Sequence, residues 1–199
     1  MRSRVIFGLV LALGSVALLS ASPVASAARA DADALRQKFL QIAVNGMAEA
    51  PEARQTAITD EEVNAYIQAL PAEELPQGLV DPQVSILPDG RLSGRATVDL
   101  DALRAAQAKD SAAAMLPLSG KVPVEAVGVL RTGQGVGALT IESVTVSGVA
   151  VPKSMIQELV AYYARSGNAP EGFNLEAPFR LPAKIREIRT ARGQAVIVQ

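Results

Sequence analysis

Residues 84–100, VSILPDGRLSGRATVDL, decide the fold class of this chain. Pro88-Asp89-Gly90 is a turn signal, and beyond it apolar residues alternate with polar ones from Leu92 to Leu100. A period of two is typical of a β-strand with one apolar and one solvated face. The stretch therefore predicts a β-hairpin. Gly94, inside the second strand, marks either a bulge or a place where something packs closely.

The same period predicts two further hairpins toward the carboxyl terminus. Residues 122–130 and 139–146 flank a Gly133-Gln134-Gly135 turn. Because apolar residues occur on both faces of this pair, we expect it in the centre of the sheet. Residues 185–198 form the last hairpin, around Arg192-Gly193. The glycine-rich segment 133–137 precedes a β pattern rather than a helix, so we interpret it as a turn and not as a phosphate-binding loop.

Helical spacing of apolar residues predicts the remaining elements. One stripe lies within residues 28–57 and comprises Leu35, Phe39, Ile42 and Ala43, widened by Leu40, Val44 and Met47. Thr59-Asp60-Glu61-Glu62 then has the form of a capping box, and Pro71 ends the helix that follows. We interpret Glu61 and Glu62 as first-turn acids at a positive helix end rather than as a catalytic pair.

Two segments between the hairpins are also candidates for helices. Residues 101–116 are rich in alanine and predict either a short helix or an exposed loop. Pro152 suits a first helical position. The strongest amphipathic stripe after residue 27 follows it and comprises Met155, Ile156, Leu159, Val160 and Tyr163.

These elements predict an α+β fold with a curved antiparallel sheet of about six strands, built from hairpins and packed on three to four helices. Residues 1–27 read as a signal peptide, because Arg2 and Arg4 precede an apolar run over residues 5–19 and an Ala25-Ser26-Ala27 cleavage pattern. We expect export to the periplasm or beyond the cell, with an uncleaved amino-terminal anchor as the alternative. Residues 28–199 then form a single domain whose core is held by burial alone, since the chain has no Cys.

Composition excludes several classes of chemistry. The chain has no His, which removes Ser-His and Cys-His catalysis and histidine-based metal sites, and we predict neither a metal nor another cofactor. A net charge of −1 argues against nucleic-acid binding. Asp99 and Asp101 are the strongest acid pair, but we interpret Asp99 as a residue of the solvated strand face and Asp101 as a helix cap. We therefore predict that the protein is not an enzyme.

A local excess of positive charge lies near the carboxyl terminus. Against one acid, Glu187, this segment carries Arg180, Lys184, Arg186, Arg189 and Arg192. Such a cluster either contacts anionic headgroups or another polyanion, at about 1 kcal/mol per basic residue near a charged membrane, or is an ordinary solvated strand face.

Residues 58–67, ITDEEVNAYI, resemble the opening of small exported or membrane-anchored bacterial proteins, several of which belong to or resemble the tubular lipid-binding (BPI-like) group. Residues 146–152, VSGVAVP, and Leu181-Pro182 are similar to that group too, so that the resemblance spans about residues 58–199. It implies a curved antiparallel sheet that wraps a long helix, with an apolar groove for acyl chains between them. No ligand-binding residue carries over by motif.

The leading hypothesis is accordingly a non-enzymatic envelope protein that binds a lipid-like ligand between helix and sheet. The stripe from Met155 to Tyr163 would line the groove, and the basic hairpin would face a lipid or membrane surface. The alternative is a structural or protein-interaction module of the envelope without a small ligand. A hydrolase that uses Asp99 and Asp101 is the third hypothesis. The sequence leaves the protein partner and the oligomeric state open.

Overall fold

The computed structural model describes residues 23–76, 78–106, 119–152, 154–155 and 177–199. Within these ranges the helices are α1 (Pro23–Met47), α2 (Asp60–Ala69) and α3 (Leu100–Ala106), and a 3-10 turn covers Ala72–Glu74. The strands are β1 (Gln55–Thr59), β2 (Leu79–Ile86), β3 (Arg91–Asp99), β4 (Lys121–Gly133), β5 (Val136–Val146), β6 (Val149–Ala150), β7 (Phe179–Arg180), β8 (Glu187–Ala191) and β9 (Gln194–Val198). The predicted α+β class is confirmed.

The larger sheet has six antiparallel strands in the order β2-β3-β4-β5-β6, with β7 also paired to β5. Its two hairpins, β2–β3 and β4–β5, turn at Asp89-Gly90 and at Gln134-Gly135, and both residues of each turn have positive φ. This backbone twist matches the twist of the flanking strands and suits Asn, Asp and Gly. The predicted hairpins are therefore confirmed, as is the interpretation of the glycine-rich segment as a turn.

A second sheet contains three strands in the order β1-β9-β8. The prediction that the last hairpin belongs to the same sheet as the others is wrong, and strand β1 was not predicted. That strand is only five residues long, and its ladder is formed with β9 at the other end of the chain. Five residues are too few for a reliable period. The pairing that stabilises the strand could not be predicted either, because its partner lies at the other end of the sequence.

The main core lies between α1 and the three-stranded sheet. Leu35 and Ile42 on α1 pack with Ile58 of β1, Ile197 of β9 and Ile185, and all five are buried. The apolar stripe predicted for α1 is wider than the face that the helix buries. Its members Phe39, Leu40, Val44 and Met47 are exposed.

Helix α2 connects the two sheets. The predicted capping box is present: the Glu62 backbone N–H donates to Thr59 Oγ1 at 3.2 Å, and the Thr59 N–H donates to Glu62 Oε2 at 3.1 Å. Farther along the helix, Asn64 bonds both the N–H and the carbonyl of Val84, at 2.7 and 2.8 Å. Since β2 is an edge strand, this side chain occupies backbone groups that would otherwise be open to another strand.

The first residues of α1 include the predicted cleavage pattern. Helix α1 begins at Pro23, so cleavage after Ala27 would shorten its first turn, where Ala25, Ser26 and Ala27 are exposed. From Ala25 onward, where burial is described, the first buried residue of the helix is Ala32. The apolar run over residues 5–19 lies outside the described residues. Among those that the structure does describe, no helix has the length and hydropathy to cross a membrane.

Candidate functional site

One face of the six-stranded sheet is apolar over three neighbouring rows of residues. Cross-strand partners share a face, so the register places three apolar rows side by side. The first row comprises Val84, Gly94, Ala126 and Val144; the second comprises Ile86, Leu92, Gly128 and Ile141; the third comprises Ala96, Val124 and Val146. We call these three rows the apolar sheet face. The rows contain no charged residue.

The middle of the apolar sheet face is shallow because its side chains are small. Gly94 pairs in regular register with Val84 and Ala126, so it does not lie in a bulge. A Cβ at Gly94 would meet only Gln83 O, at 3.9 Å, among the described atoms. A Cβ at Gly128 would instead lie 3.1 Å from Thr140 O. Gly94 and Ala126 therefore form a trough with free space above Gly94, as far as the described atoms show.

The opposite face of the same sheet carries the charged side chains, beside Val127 and Val129. Arg91 forms an ion pair with Glu142 at 2.9 Å, and both side chains are about half exposed. Arg95 donates twice to Gln83 Oε1, at 2.9 and 2.6 Å. A sheet with one charged and one apolar face normally packs its apolar face against another layer.

Among the described elements, helices α1 and α2 do not supply that layer over β3–β5. They pack chiefly on each other, on β1 and on the edge strand β2. Val124, Ala126, Val144 and Val146 are accordingly only partly buried.

The predicted ligand-lining stripe from Met155 to Tyr163 lies mostly outside the described residues. Met155 is described: its backbone N–H donates to Pro152 O at 3.1 Å, and its side chain is exposed. The other four members, Ile156, Leu159, Val160 and Tyr163, lie outside the described residues.

Three of the five basic residues have partners within the fold. Lys184 Nζ donates to Ala48 O at 2.6 Å, and Arg186 donates to Gln199 O at 2.8 Å. Arg189 pairs with Glu187 at 2.8 Å. This pairing lowers the pKa of the Glu187 carboxyl through the hydrogen bond from Arg189.

The remaining two basic residues are Arg180 and Arg192. Both side chains are exposed, and neither shows a hydrogen bond or ion pair within the described ranges. Arg180 lies opposite Val136 in the ladder between β5 and β7.

Asp99 and Asp101 accept hydrogen bonds from backbone N–H groups at the start of α3 and of β4. Asp99 Oδ1 accepts from the N–H groups of Asp101 and Ala102, at 3.1 and 2.9 Å, and thus caps the helix. Asp101 Oδ2 accepts from the Gly120 N–H at 2.9 Å. The cap is therefore Asp99 rather than the predicted Asp101. The described residues contain no group of three or more His, Cys, Asp or Glu side chains that could hold a metal ion.

A second apolar surface lies on the outside of α1. Leu40, Val44 and Met47 are 61%, 68% and 84% exposed. Beside Leu40 and Val44 an open groove of about 460 Å³ runs between the helix and the loop that contains Glu52 and Arg54. The sequence pattern placed these residues in the widened apolar stripe of the helix, and periodicity shows the width of a stripe but not how much of it a partner covers.

Comparison with known protein families, with curated proteins and with solved structures found no match to this chain.

Proposed function

We propose that this chain is a non-enzymatic, exported envelope protein that binds a lipid-like ligand on the apolar sheet face. The trough at Gly94 and Ala126 is the observation that carries the proposal, because it is apolar, is open above Gly94 among the described atoms, and is not covered by α1 or α2. The resemblance to the tubular lipid-binding group points in the same direction.

The chemistry of the trough favours an acyl chain over a polar ligand. No charged residue occurs in its rows to hold a sugar, a nucleotide or a peptide backbone. Each methylene that leaves water for an apolar surface contributes about 0.8 kcal/mol. Glycine and alanine side chains let such a chain approach the sheet closely, whereas larger side chains would hold it away.

Arg180 and Arg192 are the proposed contacts for an anionic headgroup. Their side chains are exposed and have no partner within the described residues, whereas Lys184, Arg186 and Arg189 are engaged in the fold. We also propose that the protein is not an enzyme. This proposal is supported by the positions of Asp99 and Asp101, which hold backbone N–H groups of the α3 turn.

The test is native mass spectrometry of the mature protein purified from its own envelope, followed by lipid extraction. The perturbing variant is Gly94→Val, which fills the trough and whose Cβ comes no closer than 3.9 Å to a described atom. Gly133→Val is the matched control, since no described atom lies within 4 Å of a Cβ there and the residue is an exposed one at the end of β4. Circular dichroism checks that both variants fold.

We expect stoichiometric lipid on the wild type and on Gly133→Val, and a loss of at least about tenfold on Gly94→Val, which equals about 1.4 kcal/mol. A wild-type protein that carries no lipid and takes up none from anionic liposomes would overturn the proposal. Together with a specific protein recovered in pull-downs, that result would favour the structural or protein-interaction module instead.

A further inference from the structure

The exposed stripe on α1 forms the apolar centre of a built surface. Leu40, Val44 and Met47 follow one another at spacings of four and three residues, so they lie along one side of the helix. Polar groups surround them: Gln41 and Asn45 on the helix, and Glu52 and Arg54 across the groove. An apolar centre with a polar rim is the usual anatomy of a protein–protein interface.

The wall of the groove is held in place before any partner arrives. Asn45 bonds the Glu52 backbone twice, with its amide donating to Glu52 O and its oxygen accepting from the Glu52 N–H, each at 3.0 Å. The start of the loop is tied by Lys184, which donates to the carbonyl of Ala48. Arg54 exchanges backbone hydrogen bonds with Gln199. Such pre-organisation lowers the entropic cost of association.

The charges of the groove indicate which partner it fits. Glu52 and Arg54 both line it and carry opposite charges. In a twofold-symmetric contact the same patch meets itself, so that Arg54 of one copy can face Glu52 of the other while the two apolar stripes meet in the centre. An anionic membrane surface would instead favour a rim with an excess of basic residues.

We infer that this face of α1 is the contact surface for a second copy of the chain. Two α1 helices pack antiparallel across a twofold axis near Val44, with Glu52 and Arg54 paired reciprocally at the rim. The homodimer does not rest on the proposed lipid binding, because the α1 groove and the apolar sheet face share no residue.

The absence of Cys from the natural sequence permits a direct test. In Val44→Cys the two introduced thiols lie next to the axis, and we expect a disulfide-linked dimer on mild oxidation. Gln68→Cys places a thiol on an exposed position of α2 and is the matched control. We expect Val44→Cys to cross-link at least about tenfold faster, because the dimer raises the effective concentration of its thiols.

Sedimentation of the full mature chain over a range of concentrations gives the second readout. We expect Val44→Glu to weaken dimerisation by about 100-fold, because two unpaired charges would meet in the interface. Glu52→Arg and Arg54→Glu should each weaken it, and the double reversal should restore it. A wild type that stays monomeric, with Val44→Cys cross-linking no faster than Gln68→Cys, would overturn the inference. A dimer that is insensitive to Val44→Glu would overturn it as well.

Discussion

The side chain of Gln199 is the most informative single perturbation of the fold. The residue is 5% exposed. Its amide nitrogen donates to Ile42 O at 2.9 Å and to Ala183 O at 2.6 Å, and its amide oxygen accepts from Asn45 at 3.1 Å. One amide thereby joins α1 to two distant segments. Gln199→Ala removes these three bonds and leaves the backbone bonds of the residue with Arg54 in place.

The magnitude follows from counting the lost bonds. Each intramolecular hydrogen bond contributes about 0.5–1.5 kcal/mol net, and the loss of one partner of a buried pair lies in the upper part of that range because the other partner is left unsatisfied. We therefore expect Gln199→Ala to lower the free energy of unfolding by about 3–5 kcal/mol, from a total of about 5–15 kcal/mol for a typical protein. At about 2–4 °C per kcal/mol for a chain of this size, the melting temperature should fall by about 6–20 °C.

Urea denaturation followed by circular dichroism measures the difference. Gln199→Leu keeps the volume but not the bonds, and we expect it to be at least as destabilising as Gln199→Ala. Gln68→Ala, at an exposed position of α2, should change the free energy of unfolding by less than about 0.5 kcal/mol. The reasoning is refuted if Gln199→Ala unfolds within that margin of the wild type, or if Gln199→Leu restores the lost stability.

Three further predictions concern other contacts. Gly46→Ala should destabilise by about 1–3 kcal/mol despite the higher helix propensity of alanine, because its Cβ would come within about 2.6 Å of the Ala183 backbone; thermal melting checks this. Asn64→Ala should cost about 2 kcal/mol in urea denaturation, since it removes both bonds to Val84. The pKa of Glu61 lies below its ordinary 4.5, because its own backbone N–H and the Thr59 hydroxyl donate hydrogen bonds to it. Its contribution is therefore present above the unfolded-state pKa and is lost as the pH falls through the folded-state value. In urea denaturation at a series of pH values, the stability difference between wild type and Glu61→Gln should shrink as the pH falls below the unfolded-state pKa and disappear below the folded-state value.

Elements that depend on neighbouring residues were predictable from the sequence. The capping box at Thr59 and Glu62 satisfies backbone groups within one helical turn, and the Asp89-Gly90 turn depends on two backbone conformations. The alternation from Leu92 to Leu100 correctly indicated one apolar face of a strand. For the candidate site, Gly94 was predicted to mark either a bulge or a place of close packing. The register excludes the bulge, and the strand alone did not show the trough that Gly94 shares with Ala126.

Periodicity could not predict which apolar side chains of a stripe are buried and which are exposed. Leu35 and Val44 lie in the same predicted stripe, yet one is 1% and the other 68% exposed. Their difference arises from where the three-stranded sheet meets the helix. Likewise, Lys184 and Arg186 read as a basic surface in the sequence but bond carbonyls of the fold, because those carbonyls approach them only after folding.

By itself, then, the sequence determined the strands of the hairpins, their turns, the start of α2 and the α+β class, because these follow from contacts within a few residues. Only the tertiary structure decided that the strands divide into two sheets, that β1 exists, and that Gln199 binds Asn45 across 154 residues of chain. These features depend on pairing between distant segments, whose free energy comes from burial and hydrogen bonds formed jointly. No local sequence pattern indicates this free energy, because it depends on which distant segments meet.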